Sequence, residues 1–189
     1  MLAALQCFRL KGFSETSMND IHERSGASMG SIYHHFESKE RLAATVYLEG
    51  LNGVHEMIRE VIAETTEAEE GIKSIVRAYV DWFVQNADLG LYLFQGLGAQ
   101  YLELEGDKIR EENARLRRDL GGWLRPHIEA GHIAKLPSEL YGPLMLGPTR
   151  EFLQQWLVQV QRGTDNGANL NESTQALAEA AWKALSPSS

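Results

Sequence analysis

The sequence has little cysteine, little proline and no long apolar run. Its single cysteine, Cys7, cannot form a disulfide within the chain, which is typical of proteins in a reducing compartment. The most apolar stretch, residues 89–99, contains Gln95 and is too short to span a bilayer. The start of the chain lacks the basic region and cleavage site of a signal peptide. We therefore expect a cytoplasmic protein that does not engage a membrane.

Positive charge is also scarce. The 189 residues include 18 Lys and Arg against 26 Asp and Glu, so the formal net charge is −8. Residues 1–50 hold five basic and six acidic side chains, a balance of −1, and the rest of the acid excess lies beyond them. Such a chain has no broad basic field for nucleic acid. Any DNA binding must therefore depend on a few well-placed contacts.

The common motifs of catalysis are missing. The sequence has no Gly-rich phosphate loop after a strand and no Gly-x-Ser-x-Gly elbow. Its six histidines form no His-Glu-x-x-His pattern, and His127 and His132 are five residues apart, a poor spacing for one helix face. We therefore predict no catalytic residues, no metal site and no cofactor.

Helical periodicity is what the sequence does have. Apolar residues recur at i, i+3 and i+4 over residues 72–85, and similar stripes run through residues 38–64 and 103–131. Further helices are predicted at residues 138–160 and 171–185, separated by a Gly/Asn-rich loop at residues 162–169. No strand is credible. The pattern predicts an all-α protein of about nine helices, three of them N-terminal.

The stretch TSMNDIHERSGASMGSIYHHFESKERL carries closely spaced helix signals. Ser17 is a good N-cap, and Asp20 three residues on supplies the acidic half of a capping box. Gly26 suits the left-handed conformation at a helix C-terminus, and Ser28 caps the next helix, MGSIYHHF. A helix, a short turn holding a glycine and a second short helix form a helix-turn-helix pattern.

The second helix of this pattern has two different faces. At about 100° per residue, Ile32 and Phe36 fall on one side and are expected to pack inward. Gly30, Ser31 and His34 fall on the other side, which is small and polar. Such a face allows close approach to another surface, and its hydroxyl and imidazole groups can donate to phosphate oxygens.

The residues GASMGSIYHHF followed by SKERL resemble the DNA-binding domain of the tetracycline-repressor (TetR) family of transcriptional regulators. The resemblance is dense over residues 1–47, about a quarter of the chain. It implies a helix-turn-helix DNA-binding domain at 1–47 and a helical ligand-binding and dimerisation domain at 48–189. Met29 stands where the family often has a basic or polar residue. The DNA contacts expected from the resemblance are Ser17, Ser28, Met29, Gly30, Ser31, Tyr33, His34, His35 and Lys39.

An effector pocket in the larger domain is also implied by the resemblance. Aromatic side chains on three helices could enclose it and orient a ligand through their polar groups. Because no buried carboxylate is evident to meet a cation, we expect a neutral or anionic, apolar or aromatic small molecule. The expected lining is Tyr79, Trp82, Phe83, Trp123, His127, Tyr141 and Met145.

A homodimer is expected, since paired half-sites on DNA require two recognition helices about 34 Å apart. The apolar face after Pro148 and the Ala-rich last helix can meet their symmetry mates as a four-helix bundle. The expected interface consists of Phe152, Leu153, Trp156, Leu157, Val160, Leu177, Ala180 and Ala181.

The sequence thus predicts a ligand-responsive regulator, a repressor that binds a palindromic double-stranded DNA operator as a dimer and is released by a small-molecule effector. The alternative is a helical small-molecule-binding protein or enzyme in which the N-terminal motif is incidental. Gly50 and Gly53, in the long helix after the motif, could either soften a connector or permit close helix packing.

Overall fold

In the computed structural model, residues 1–96, 98–164 and 169–187 are described, and these ranges contain nine α-helices and no strand. Two short 3₁₀ helices, Gln100–Glu105 and Ser138–Leu140, precede α7 and α8. The all-α prediction is confirmed. The helices are α1 (Leu2–Glu15), α2 (Met18–Ser25), α3 (Met29–Phe36), α4 (Lys39–Glu64), α5 (Ala68–Gln85), α6 (Ala87–Gly96), α7 (Gly106–Glu129), α8 (Tyr141–Arg162) and α9 (Leu170–Leu185).

The helix ends follow local signals in the sequence. Ser17 and Asp20 form the predicted capping box, in which Ser17 Oγ accepts from the Asp20 N–H at 3.1 Å and Asp20 accepts from the Ser17 N–H at 2.7 Å. Gly26 ends α2 with φ 67°. The last helix begins slightly earlier than expected, because Asn169 caps it by accepting from the Glu172 N–H. The Gly/Asn-rich loop before Asn169 falls largely on residues 165–168, outside the described ranges.

Two compact units make up the chain. The first contains residues 1–53 and 86–112, and the second contains residues 54–85 and 113–189. Helices α4 and α7 each begin in the first unit and end in the second. These units differ from the division at residues 47 and 48, which concerned function and stays a prediction.

Aromatic and close glycine contacts tie α6 into the first unit. The rings of Phe8 and Tyr92 stack at 5.8 Å, and the Tyr92 hydroxyl donates to Ala43 O at 2.9 Å. A Cβ on Gly50 would lie 3.0 Å from Leu89 Cδ1. Gly50 therefore permits close packing of α4 against α6, which favours the second of its two interpretations.

The core of the second unit forms where α5, α8 and α9 meet. Ile72 and Ile75 of α5 are fully buried. Leu153 and Leu157 of α8 and Ala181 of α9 are only 0–3% exposed inside the single chain. These three side chains therefore pack against helices of their own protomer and leave little surface for a second copy, and the dimer interface itself stays a prediction.

No helix within the described ranges is both long enough and apolar enough to cross a membrane.

Candidate DNA-binding surface and effector cavity

The helix-turn-helix is built from α2, a three-residue turn and α3. The Gly26 N–H donates to His22 O at 3.1 Å, and Ala27 O lies 2.6 Å from His22 Nδ1, so both bonds close the turn onto α2. Ser28 Oγ then accepts from the Ser31 N–H and caps α3. The turn is thus fixed by its own backbone and by short polar side chains.

Helix α3 has a buried and an exposed side, as its periodicity predicts. Ile32 is 6% exposed and Phe36 is half-buried. Met29 is half-buried at the start of the helix. The structure brings the exposed candidates together along one short helix and its cap, where contact with DNA stays a prediction. They are Ser28, Gly30, Ser31, Tyr33, His34 and His35.

Two other predicted DNA contacts have structural partners within the protein. Ser17 is occupied in the capping box of α2. The Lys39 ammonium donates to Phe13 O at 2.9 Å and to Ser14 O at 3.3 Å, and it lies 4.6 Å from the centroid of the Phe13 ring. Lys39 therefore holds the end of α1, so loss of DNA binding in a Lys39 variant would not by itself identify a phosphate contact.

The second unit contains a cavity of about 950 Å³. Its floor is apolar and includes the buried side chains of Ile58, Ile75 and Leu124. Helix α7 supplies most of one wall through an aliphatic stripe, and α8 supplies part of another. The charged side chains of the lining and Ser138 are all exposed and form a rim, consisting of Arg117, Arg125, Glu129, Lys135, Ser138 and Glu139.

Only two of the seven predicted pocket residues, Tyr141 and Met145, line this cavity. The Tyr141 hydroxyl donates to Ala134 O and accepts from the Leu136 N–H, both at 3.0 Å. The Tyr141 hydroxyl is thus engaged in hydrogen bonds within the protein, so only the ring is available to a ligand.

The other five predicted pocket residues belong elsewhere. The Trp123 indole N–H donates to Thr65 O at 3.0 Å, and the Trp123 ring packs against Gly71 and lies 4.7 Å from the His127 ring. Helix α7 therefore turns its aromatic side toward the turn between α4 and α5, and its aliphatic side toward the cavity. The remaining five predicted pocket residues, Tyr79, Trp82, Phe83, Trp123 and His127, do not line this cavity, and their role in ligand binding stays a prediction.

The sequence does contain a signal for the lining of this cavity. Leu116, Leu120, Leu124 and Ile128 recur every four residues along an otherwise polar helix. Such a stripe must face an apolar environment. The prediction followed the aromatic residues instead, because their polar groups suggested ligand recognition.

No group of three or more His, Cys, Asp and Glu side chains suited to a metal ion occurs in the described part of the chain.

Comparisons with known proteins identify the family. The family model for bacterial regulatory proteins of the tetR family matches residues 1–46. The HTH-type transcriptional regulator UidR of Escherichia coli (strain K12) is 30% identical over 149 residues, which cover 75% of this chain and 76% of UidR. The chain belongs to the TetR family of transcriptional regulators. As a TetR-family member it is a DNA-binding regulator and not an enzyme.

Other relatives agree with this membership. The HTH-type transcriptional regulator LmrA of Bacillus subtilis (strain 168) is 36% identical over 115 residues, so the match spans 58% of each chain, less than two thirds of LmrA. The fold is like that of the transcriptional regulator FadR from Bacillus subtilis, solved in complex with stearoyl-CoA. That likeness has a TM-score of 0.79 and covers 96% of this chain and 95% of FadR at 22% identity.

Proposed function

We propose that this TetR-family regulator is a repressor that binds a palindromic operator as a homodimer and leaves it when an amphipathic acyl ligand fills the cavity beside α7. Residues 1–47 would supply the operator contacts, and residues 48–189 the effector site and the dimer contacts. The observation that carries the effector class is the division of the cavity into an aliphatic floor and a charged rim.

The operator surface is supported by the exposed face of α3. Tyr33 is 46% exposed although it is a large aromatic residue, which suits a side chain that meets a partner. Ser31, His34 and Gly30 around it keep the face small enough for a helix to enter the major groove. We expect Tyr33 to position the helix on phosphates, and Ser31 and His34 to influence the preferred sequence.

The dimer surface is supported by the apolar residues that the single chain leaves uncovered. Phe152, Trp156 and Val160 recur every four residues on α8, and each is half-buried or exposed. Leu177 and Ala180 lie three residues apart on α9, which packs beside α8, and they too are half-buried or exposed. This pair of helices can complete a four-helix bundle with a second copy.

The tail of the effector is inferred from the cavity floor. Aliphatic side chains dominate the lining and Tyr141 contributes its one aromatic ring, so an extended aliphatic chain fits better than an aromatic ligand. The volume of about 950 Å³ lies in the range of small-molecule sites. Burial of each methylene in such a site contributes about 0.8 kcal/mol.

The head of the effector is inferred from the rim. Arg117 and Arg125 lie eight residues apart on α7, about 12 Å along the helix axis. Within the described ranges, neither these two arginines nor Lys135 takes part in an ion pair. Three such cations can bind the phosphates of an acyl-CoA. The stearoyl-CoA complex of FadR, which shares the fold, supports this choice.

Release from DNA follows from a difference in affinity between two conformations. A ligand shifts the equilibrium only if it prefers the conformation that binds the operator poorly. A hundredfold loss of operator affinity requires a preference of about 2.7 kcal/mol.

The experiment begins with selection of a binding sequence from a random duplex pool by the wild-type protein. Stearoyl-CoA is then titrated into the complex in a gel-shift assay, with free CoA and an aromatic acid as comparison ligands. We expect stearoyl-CoA to release the DNA and the comparison ligands to release little. The double variant Arg117→Gln/Arg125→Gln should need about tenfold more stearoyl-CoA, whereas Arg118→Gln, an exposed neighbour outside the cavity lining, should behave as wild type.

A second pair of variants tests the tail. Gly121 lines the cavity and Gly122 beside it does not, and an added Cβ meets nothing within 4 Å at either position. Gly121→Leu should fill part of the cavity and shift the preference toward a shorter acyl chain such as decanoyl-CoA. Gly122→Leu should leave the chain-length preference unchanged. Release by the aromatic acid alone, or equal responses of the two glycine variants, would contradict the acyl assignment.

A further inference from the structure

The recognition helix α3 ends in a strained turn. Glu37, its C-terminal flanking residue, has φ 57° and ψ −45°, and within the described residues it is the one non-glycine with positive φ. The Ser38 N–H donates to Phe36 O across it. A γ-turn of this sign is rare, and it persists only where neighbouring groups hold it.

A chain of ion pairs connects this turn to Glu105 and Lys108, which belong to the same unit. Arg41 Nε lies 3.3 Å from Glu37 Oε2, and Arg41 Nη1 lies 3.0 Å from Glu105 Oε1. The other carboxylate oxygen of Glu105 lies 2.7 Å from Lys108 Nζ. The Glu105 side chain is 6% exposed, whereas those of Arg41 and Lys108 are 37% and 67% exposed.

The buried position of the carboxylate makes its partners important. A carboxylate removed from water is costly unless it is paired and hydrogen-bonded, and removing one partner leaves the other charge uncompensated. The hydrogen bond from Lys108 and the neighbouring Arg41 charge hold the pKa of Glu105 below its ordinary value despite burial. Glu105 is therefore charged at neutral pH and fixes the Arg41 guanidinium in one place.

We propose that Glu105 is a positioning residue for DNA recognition, which fixes through Arg41 the turn that ends the recognition helix. Glu105 stands far outside residues 1–46, which the family model matches, and its nearly buried side chain leaves little surface for a direct DNA contact. It acts by limiting the orientations that α3 adopts before binding, so that less ordering is needed on the operator. The inference rests on the sequence-specific operator binding proposed above.

Two variants remove the ion pair between Arg41 and Glu105. Glu105→Gln keeps the shape and removes the charge, and Arg41→Gln removes the other partner at a part-exposed position where folding is less at risk. Asp107→Asn is the matched control, because it removes an acid two residues away whose partner is Arg110 and whose side chain is 98% exposed. Affinities are measured at 25 °C for the sequence that the wild type selects and for a scrambled duplex of the same composition. Circular dichroism verifies that each variant is folded.

We expect each of the two variants to lose about tenfold in affinity for the selected duplex, with less than a twofold change on the scrambled duplex. The double variant should lose no more than either single one, since both act on the same link. Asp107→Asn should match the wild type. A purely structural role lowers the melting temperature but leaves the ratio of the two affinities unchanged in folded protein.

The outcomes separate this inference from the proposed function. A wild-type protein that selects no sequence overturns both. If the wild type selects a sequence and the folded variants keep its ratio of affinities, the inference about Glu105 is overturned and the operator binding stands. If Glu105→Gln does not fold, the same criterion applies to Arg41→Gln.

Discussion

At the scale of single residues, Lys39 has a structural task that its sequence position did not reveal. Its ammonium donates to two carbonyl oxygens, Phe13 O and Ser14 O, just after the break in α1 at Gly12, which has φ 78°. The Phe13 ring adds a cation–π contact. Stability and DNA binding must therefore be measured separately for any Lys39 variant.

We expect Lys39→Ala to lower the free energy of unfolding by about 1–2 kcal/mol, because two charge-assisted hydrogen bonds and a ring contact are lost. Urea unfolding followed by circular dichroism measures this. Lys183→Ala is the control: its side chain is exposed in the last turn of α9, so the unfolding midpoint should barely move. Equal midpoints for the two variants would show that the Lys39 contacts contribute nothing.

At the scale of helices, two glycines have opposite effects on stability. Gly71 on α5 lies under the Trp123 indole, and a Cβ there would come within 2.2 Å of Trp123 Cζ2. Gly122 on α7 is exposed, and a Cβ there meets nothing within 4 Å. The first allows close packing of α7, whereas the second only weakens the helix.

Alanine substitutions at these two positions should therefore change the stability of the protein in opposite directions. Gly71→Ala is expected to destabilise the protein by about 1–3 kcal/mol, because the indole must move and its hydrogen bond to Thr65 O is strained. Gly122→Ala is expected to stabilise it by up to about 1 kcal/mol. Urea midpoints of the two variants decide this, and a stabilising Gly71→Ala would mean that Trp123 can shift at no cost.

The N-terminus of α2 should confer acid sensitivity. Hydrogen bonds from Lys11 and then Ser17 hold the pKa of Asp20 well below its ordinary value. A lowered carboxyl pKa stabilises the fold above the unfolded pKa of about 3.9, and that stabilisation is lost as pH falls toward the folded value.

We therefore expect wild type to be more stable than Asp20→Asn at pH 7, and the difference to shrink as pH falls below about 4. Urea titrations of both proteins between neutral and acidic pH test this. A difference that does not vary with pH would mean that the cap acts through shape and hydrogen bonding alone.

At the scale of the whole molecule, the uncovered stripe on α8 and α9 is the feature to test. Trp156 lies at its centre between Phe152 and Val160. We expect the wild type to sediment at twice the chain mass of 21.2 kDa at micromolar concentration. Trp156→Glu should yield monomers, since it buries a charge in the interface. Gln154→Glu, the same acid at an exposed position on α8, should leave the dimer intact. Dimers of Trp156→Glu would place the interface elsewhere.

The sequence by itself determined the elements that depend on neighbours along the chain. Helix periodicity, the Ser17 cap and the Gly26 turn act within a few residues, so the helix-turn-helix could be predicted from them. The resemblance over residues 1–47 led to the same family as the comparisons.

Only the tertiary structure decided which apolar face meets which neighbour. Periodicity places Leu153, Leu157 and Phe152 on an apolar side of α8 but does not say whether the protomer or a second copy covers it. The lining of the cavity was also decided by tertiary packing. Helix α7 carries both an aromatic and an aliphatic side, and contacts with residues distant in sequence place the aliphatic side against the cavity. The ion pair between Arg41 and Glu105 joins residues 64 positions apart, and no local sequence pattern encodes such a contact.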